Sequence, residues 1–204
     1  MKRILLLCST LLLLTSCFER RIPITDEDIE IYNYAKSFYP EIDVMFLPDL
    51  TSGKLLYFEC QNPGIDCKSC PRTIRLLMQY SKSEMDSIRM NLDANTIRKY
   101  SFGDEHLLIL DYDPKVHTHF KNLKLAKDTL DICPIPNFDF LQNRQLIGNY
   151  KKAEIYVFGC AHGAIIDKEL LRSDRAGLPE SWKHGMTKGV TIWNNYVAYW
   201  FEVW

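Results

Sequence analysis

Cys67-Lys68-Ser69-Cys70 is the stretch of this sequence best suited to chemistry. Two thiols three residues apart can close a disulfide or exchange one, and a thiol at a helix N-terminus is drawn toward thiolate, the form that attacks disulfides. Lys68 and Arg72 favour the thiolate and Asp66 opposes it. With Cys70 as helix cap, Pro71 takes the favoured first helical position and Cys67 stands just outside. Cys60, Cys133 and Cys160 are the other candidates for disulfides. Zinc is the next chemistry to weigh, because Cys60, Cys67 and Cys70 are soft ligands and Cys160 lies two residues from His162. Structural zinc takes two short paired spacings, however, and only one pair is present. His117 and His119 diverge if their segment is a helix, so no metal and no cofactor is assigned. Asp111 and Asp113 read as a strand end before a proline turn. Asp174, Ser181 and His184 read, beside Trp182, as a polar loop. No G-x-S-x-G, no phosphate-binding glycine loop and no H-E-x-x-H occurs, which leaves hydrolase, nucleotide and metalloprotease mechanisms without support.

The elements that must position these residues follow from capping and periodicity. Thr25 with Asp28 makes a capping box before Ile29, Tyr32, Ala35 and Tyr39, predicting a helix over 26–38 that Pro40 ends. Glu41 to Phe46 reads as a strand, 48–53 as a turn, and Leu55 to Phe58 as a strand leading into the cysteine cluster. From Pro71 the spacing of Ile74, Leu77 and Met78 predicts a helix. Ser83 with Asp86 starts another that buries Met85, Ile88 and Leu92. Residues 106–112 read as a buried strand, and Val116, Phe120 and Leu123 as one more helix. Cys133-Pro134-Ile135-Pro136 excludes regular structure, since neither proline can donate a hydrogen bond. Glu154 to Cys160 is strand-like, 161–163 can turn, and 164–171 can return. Thr187 to Trp193 meets Tyr196 to Trp204 across Asn194-Asn195, a two-residue hairpin in which asparagine tolerates positive φ. The last strand is apolar on both faces and is therefore central or covered. The Trp193, Trp200 and Trp204 group is a recognition surface if exposed and core if buried in the sheet. The class expected is α+β, a single domain with helices in the first half and an antiparallel β-meander at the C-terminus.

The compartment follows from Met1 to Cys17. Lys2 and Arg3 precede an apolar run from Ile4 to Leu14 that is too short to cross a bilayer and ends in small residues, the layout of an export signal. Leu14-Thr15-Ser16-Cys17 resembles the lipobox of bacterial lipoproteins. That resemblance implies cleavage before Cys17, acylation of its sulfur, and, with Phe18 rather than aspartate following, an outer-membrane location facing the periplasm. The expected division is 1–16 signal peptide, 17–24 lipidated tether and 25–204 globular domain. The precursor carries 25 Lys+Arg against 26 Asp+Glu. Losing Lys2 and Arg3 leaves a net charge of about −3, which points away from nucleic acid. Cys8 leaves with the signal and Cys17 is lipidated. Cys60, Cys67, Cys70, Cys133 and Cys160 then face an oxidising compartment, where at most two disulfides form and at least one thiol is left over.

The stretch from Leu55 to Leu77 resembles thioredoxin-like envelope proteins, which run strand, loop, CxxC, amphipathic helix. That resemblance implies a thioredoxin-like α/β core as the alternative fold, with Cys67 as attacking and Cys70 as resolving thiol of a thiol-disulfide oxidoreductase. With no complete catalytic set, the leading expectation is a lipid-anchored, disulfide-stabilised binding module that takes a protein or envelope component through its loops and aromatic sheet. A periplasmic immunity or inhibitor protein is a further alternative. The membrane, through the lipid, and a protein are the partners expected; no nucleic acid is.

Overall fold

A computed structural model describes residues 23–60, 72–96, 98–101, 104, 107–110, 133–136, 138, 152–163, 182 and 184–204. Helix α1, Asp26–Ser37, begins as its capping box requires. The Thr25 side chain accepts from the Asp28 backbone N–H, and the Asp28 carboxylate accepts from the Thr25 N–H. It buries Tyr32 and Ala35. The next segment, Glu41–Val44, is a helical turn, α2, and not the strand its composition predicts. Val44, Leu47 and Leu50 are buried while Ile42 and Met45 are exposed, a spacing of three that a strand cannot produce.

Strand β1, Lys54–Cys60, pairs antiparallel with β2, Arg72–Gln79. The helix expected after Pro71 is therefore a strand. Residues 73–78 are all buried: Ile74, Leu76 and Met78 lie on one face, and Thr73, Arg75 and Leu77 on the other. A strand covered on both sides carries no alternation, so the helical spacing of Ile74, Leu77 and Met78 is a coincidence inside a continuous buried run. Helix α3, Lys82–Asn95, starts two residues earlier than expected, capped by Ser81 with Glu84 rather than by Ser83 with Asp86. Met85 and Leu92 are buried as the periodicity predicts.

Four further strands complete the main sheet. They are β3, Arg98–Ser101; β6, Glu154–His162; β7, Gly185–Trp193; and β8, Tyr196–Val203, and the order is β1-β2-β8-β7-β6-β3 with every pairing antiparallel. The β7–β8 hairpin turns at Asn194-Asn195, with Asn194 at φ 54. β8 lies between β2 and β7, which accounts for its two apolar faces. Two more strands, β4, Leu107–Leu110, and β5, Cys133–Pro136, form a separate parallel pair. The prolines that were expected to exclude regular structure are accommodated by their spacing. Residues two apart point their backbone groups to the same edge, so Pro134 and Pro136 turn away from β4 and leave Cys133 and Ile135 to bond it.

The sheet thus separates two cores. The helices pack on one face, where Tyr32, Ala35, Val44, Leu47, Met85 and Leu92 meet Leu76, Met78, Val190, Tyr199 and Phe201. On the other face Leu107, Cys133, Ile135 and Phe138 meet Leu77, Ile155, Val157, Ala198 and Trp200. Helices with a wholly antiparallel main sheet make this an α+β arrangement. The thioredoxin-like α/β core is not what these strands form: such a core carries a helix after the CxxC, and here β2 takes that place. Among the described residues no helix is long and apolar enough to cross a membrane.

Candidate functional site

The second core contains the one close pair of sulfurs among the described residues. Cys133 opens β5, and Cys160 lies near the end of β6. What aims Cys160 at Cys133 is an irregularity in β6. The register with β7 shifts between Val157 and Gly159, a β-bulge that inserts one residue and reverses the alternation beyond it. Before the bulge Ile155 and Val157 face the β4–β5 pair and Tyr156 the helices; after it Cys160 joins the β4–β5 side. Unbroken alternation would have turned Cys160 toward the helices. Phe158 is the inserted residue; Gly159 follows it opposite Lys188, and a side chain at Gly159 would press on the Lys188 side chain.

The edge strand β3 supplies two polar partners. Arg98 and Tyr100 pair with Val157 and Ile155 and, two residues apart, share the face that carries the thiols. Lys99 points the other way, over the ring of Tyr156 and 3.0 Å from Glu154. The Cys133 and Cys160 Sγ atoms are 3.2 Å apart. The Tyr100 hydroxyl donates to Cys133 Sγ at 3.5 Å, Arg98 Nη1 approaches the same sulfur at 3.9 Å, and Arg98 Nη1 also donates to the Tyr100 oxygen at 3.5 Å. Both donors, Tyr100 and Arg98, converge on Cys133.

Their effect on protonation is directional. The S–H of Cys160, donated to Cys133, is the largest influence. With the Tyr100 hydroxyl and the Arg98 charge it outweighs burial and brings the Cys133 thiol down to about 6. Cys160 moves the opposite way, because its proton is held by the Cys133 thiolate and because it is partly buried. Burial, then the bond to Cys133, pushes the Tyr100 phenol up to about 12. The pair therefore gives up its first proton more readily than an ordinary thiol, with Cys133 the favoured seat of the negative charge and Cys160 of the remaining proton. That is the protonation state from which a disulfide is made or broken. The sulfurs need to close by roughly 1 Å to bond. The bond would tie the two-stranded pair to the main sheet across 27 residues of sequence. Restricting a loop of that length is worth roughly 3.5 kcal/mol on the chain-entropy account.

The other predicted site residues fall as follows. Cys60 ends β1, packs against the helix-side core, and donates its thiol to the Ile31 carbonyl at 4.0 Å. Burial pushes it up to about 12, and it lies on the opposite face of the sheet from Cys133 and Cys160. Cys17, Cys67 and Cys70 lie outside the described residues, as do His117, His119, Asp111, Asp113, Asp174 and Ser181. With a strand following Pro71, the helix N-terminus invoked to activate Cys67 is not there. His162 does not join Cys160; its ring lies 3.8 Å from that of Trp182, centroid to centroid. No group of three or more His, Cys, Asp or Glu residues converges as metal ligands among the described residues. Trp193, Trp200 and Trp204 are buried, so these three side chains belong to the core. Arg98 and Tyr100 were not anticipated; the signal was there as a polar pair with period two on an otherwise short strand.

A second polar cluster lies on the same face of the sheet. Arg75 on β2 donates from Nε to Glu202 Oε1 of β8 at 2.6 Å, and Arg75 Nη1 is 3.4 Å from Glu59. Glu202 is fully buried, and its Oε2 has no hydrogen-bond partner. Trp200 Nε1 donates to Thr187 at 3.5 Å nearby. Arg75 and Glu202 tie β2 to β8, and the cluster belongs to the fold.

No protein-family model, no curated protein and no solved structure matches this chain.

Proposed function

We propose that this is a lipid-anchored protein of a bacterial cell envelope, attached through Cys17, facing the periplasm. Its single α+β domain, residues 25–204, is braced by a disulfide between Cys133 and Cys160. It acts there as a binding module that holds a protein or envelope component. The observation that supports the reading is the 3.2 Å approach of two sulfurs from different sheets, taken with the export-signal layout expected of residues 1–17. In an oxidising compartment such a pair is a bond in waiting. Cys133 and Cys160 are free thiols in the structure, and their approach supports this pairing among those that spacing leaves open. With the tryptophans buried, binding falls to loops and not to the sheet. Anchoring is tested by fractionating cells that express the full chain and the Cys17→Ser variant. The full chain should sediment with membranes and carry acyl mass on Cys17, and the variant should not. A full chain recovered freely soluble with residues 1–16 still attached contradicts the reading.

A further inference from the structure

We propose that Cys133 and Cys160 form an exchangeable, oxidising disulfide that is handed to other thiols, with Cys160 the sulfur attacked and Cys133 the thiolate that leaves, held by Tyr100 and Arg98. This deepens the reading above and rests on it in one respect, that the two sulfurs bond in the compartment the protein occupies. Two asymmetries carry the proposal. Cys133 has no exposed surface, whereas Cys160 is half-buried, so an incoming thiolate reaches only Cys160. Conversely, the donors of Tyr100 and Arg98 meet Cys133. Hydrogen-bond donors and a positive charge stabilise a thiolate strongly and a neutral disulfide sulfur hardly at all. Placing them there favours the reduced state, and a disulfide whose reduced form is favoured is an oxidant. A bond present only to brace the fold gains nothing from such partners and is weakened by them.

A substrate thiolate attacks Cys160 Sγ; the Cys133–Cys160 bond breaks, its electron pair departs on Cys133 Sγ, and a mixed disulfide joins substrate to Cys160. A second substrate thiolate attacks the substrate sulfur of that mixed disulfide. The bond to Cys160 breaks, and Cys160 leaves as thiolate and takes one of the two protons given up by the substrate thiols; the other goes to solvent. Two thiols become one disulfide, and the protein disulfide gains two electrons. The reverse exchange with a disulfide-bearing oxidant, of low molecular weight or protein, restores the bond. A leaving sulfur with a low thiol pKa departs faster, which is the kinetic counterpart of the same design.

The test uses the full mature chain in detergent, equilibrated with reduced and oxidised glutathione at defined ratios, acid-trapped, and read by mass spectrometry of the Cys133 and Cys160 peptides. The expected result is half-reduction within the glutathione range, where bracing disulfides stay oxidised. Tyr100→Phe and Arg98→Met should each raise the quotient of reduced glutathione squared over oxidised glutathione needed for half-reduction by about tenfold, since each removes one stabiliser of the thiolate. Thiolate absorbance of the reduced chain should titrate near pH 6 and move upward in both variants. Cys133→Ser should trap glutathione on Cys160, and Cys160→Ser should leave Cys133 unmodified. A bond that resists the whole glutathione range, or a midpoint unmoved in both variants, overturns the proposal and leaves the crosslink standing. Two free thiols at every ratio, oxidised glutathione alone included, overturn the crosslink as well.

Discussion

Replacing Arg75 by methionine isolates the most exposed liability of the fold, a carboxylate with nowhere to go. The Glu202 side chain has no exposed surface and the Arg75 side chain 9% of its own, and the bond between them is 2.6 Å. Methionine keeps most of the volume of the stem and removes the charge, leaving Glu202 desolvated and alone. Breaking one side of a buried pair costs about 3–5 kcal/mol, a large share of the roughly 5–15 kcal/mol a domain of this size has. Glu59 adds little, because it is partly exposed and can rehydrate. The pH dependence gives the argument its sign. Burial already holds the Glu202 carboxyl above the usual carboxylate range, opposed by Arg75, and removing Arg75 raises it further. A group raised on folding stabilises most below its unfolded value and loses that contribution as pH rises through the folded one. The variant should therefore be weakest at pH 8 and recover by at most about 1.4 kcal/mol per pH unit on acidification. Adding Glu202→Leu should restore most of the loss at pH 8. The assay is urea unfolding at pH 5 and pH 8 followed by tryptophan fluorescence. A loss below about 1 kcal/mol, or one equal at both pH values, would refute the reasoning.

Two further outcomes follow from other parts of the molecule. Gly189 on β7 lies across from Trp200, and a Cβ there would collide with the Trp200 ring and with the Tyr156 carbonyl. Gly189→Ala should cost about 3 kcal/mol, read as a lower denaturation midpoint, because a backbone carbonyl cannot rotate away. Ser81→Ala removes the acceptor that caps α3 and should cost about 1 kcal/mol in the same assay, with Ser83→Ala near neutral.

Parts of this fold were legible because a local rule and the tertiary structure agree. Thr25 and Asp28 cap α1 as their spacing requires, and Asn194 turns the hairpin at positive φ. The last strand, apolar on both sides, is central. The misreadings share a cause, which is that pairing partners distant in sequence decide the structure. β2 looks helical until β1 and β8 are seen on its two edges, and Arg75 is hidden in it only because Glu202 waits 127 residues away. Pro134 and Pro136 exclude a strand with two neighbours and permit one with a single neighbour. The same holds for the site. Cys133 and Cys160 were both visible as disulfide candidates, but nothing local says that a bulge at 157–159 turns Cys160 to the other face. Arg98 and Tyr100 become partners of Cys133 only because β3 pairs with the strand that carries Cys160.

The central claim is that Cys133 and Cys160 are one redox unit. It is tested most directly by alkylating intact cells before lysis, digesting the protein without reductant, and searching for the Cys133–Cys160 linked peptide by mass spectrometry. The account predicts that peptide, with Cys60 recovered outside it. Cys133 and Cys160 recovered separately, each alkylated or each joined to a different cysteine, would contradict it.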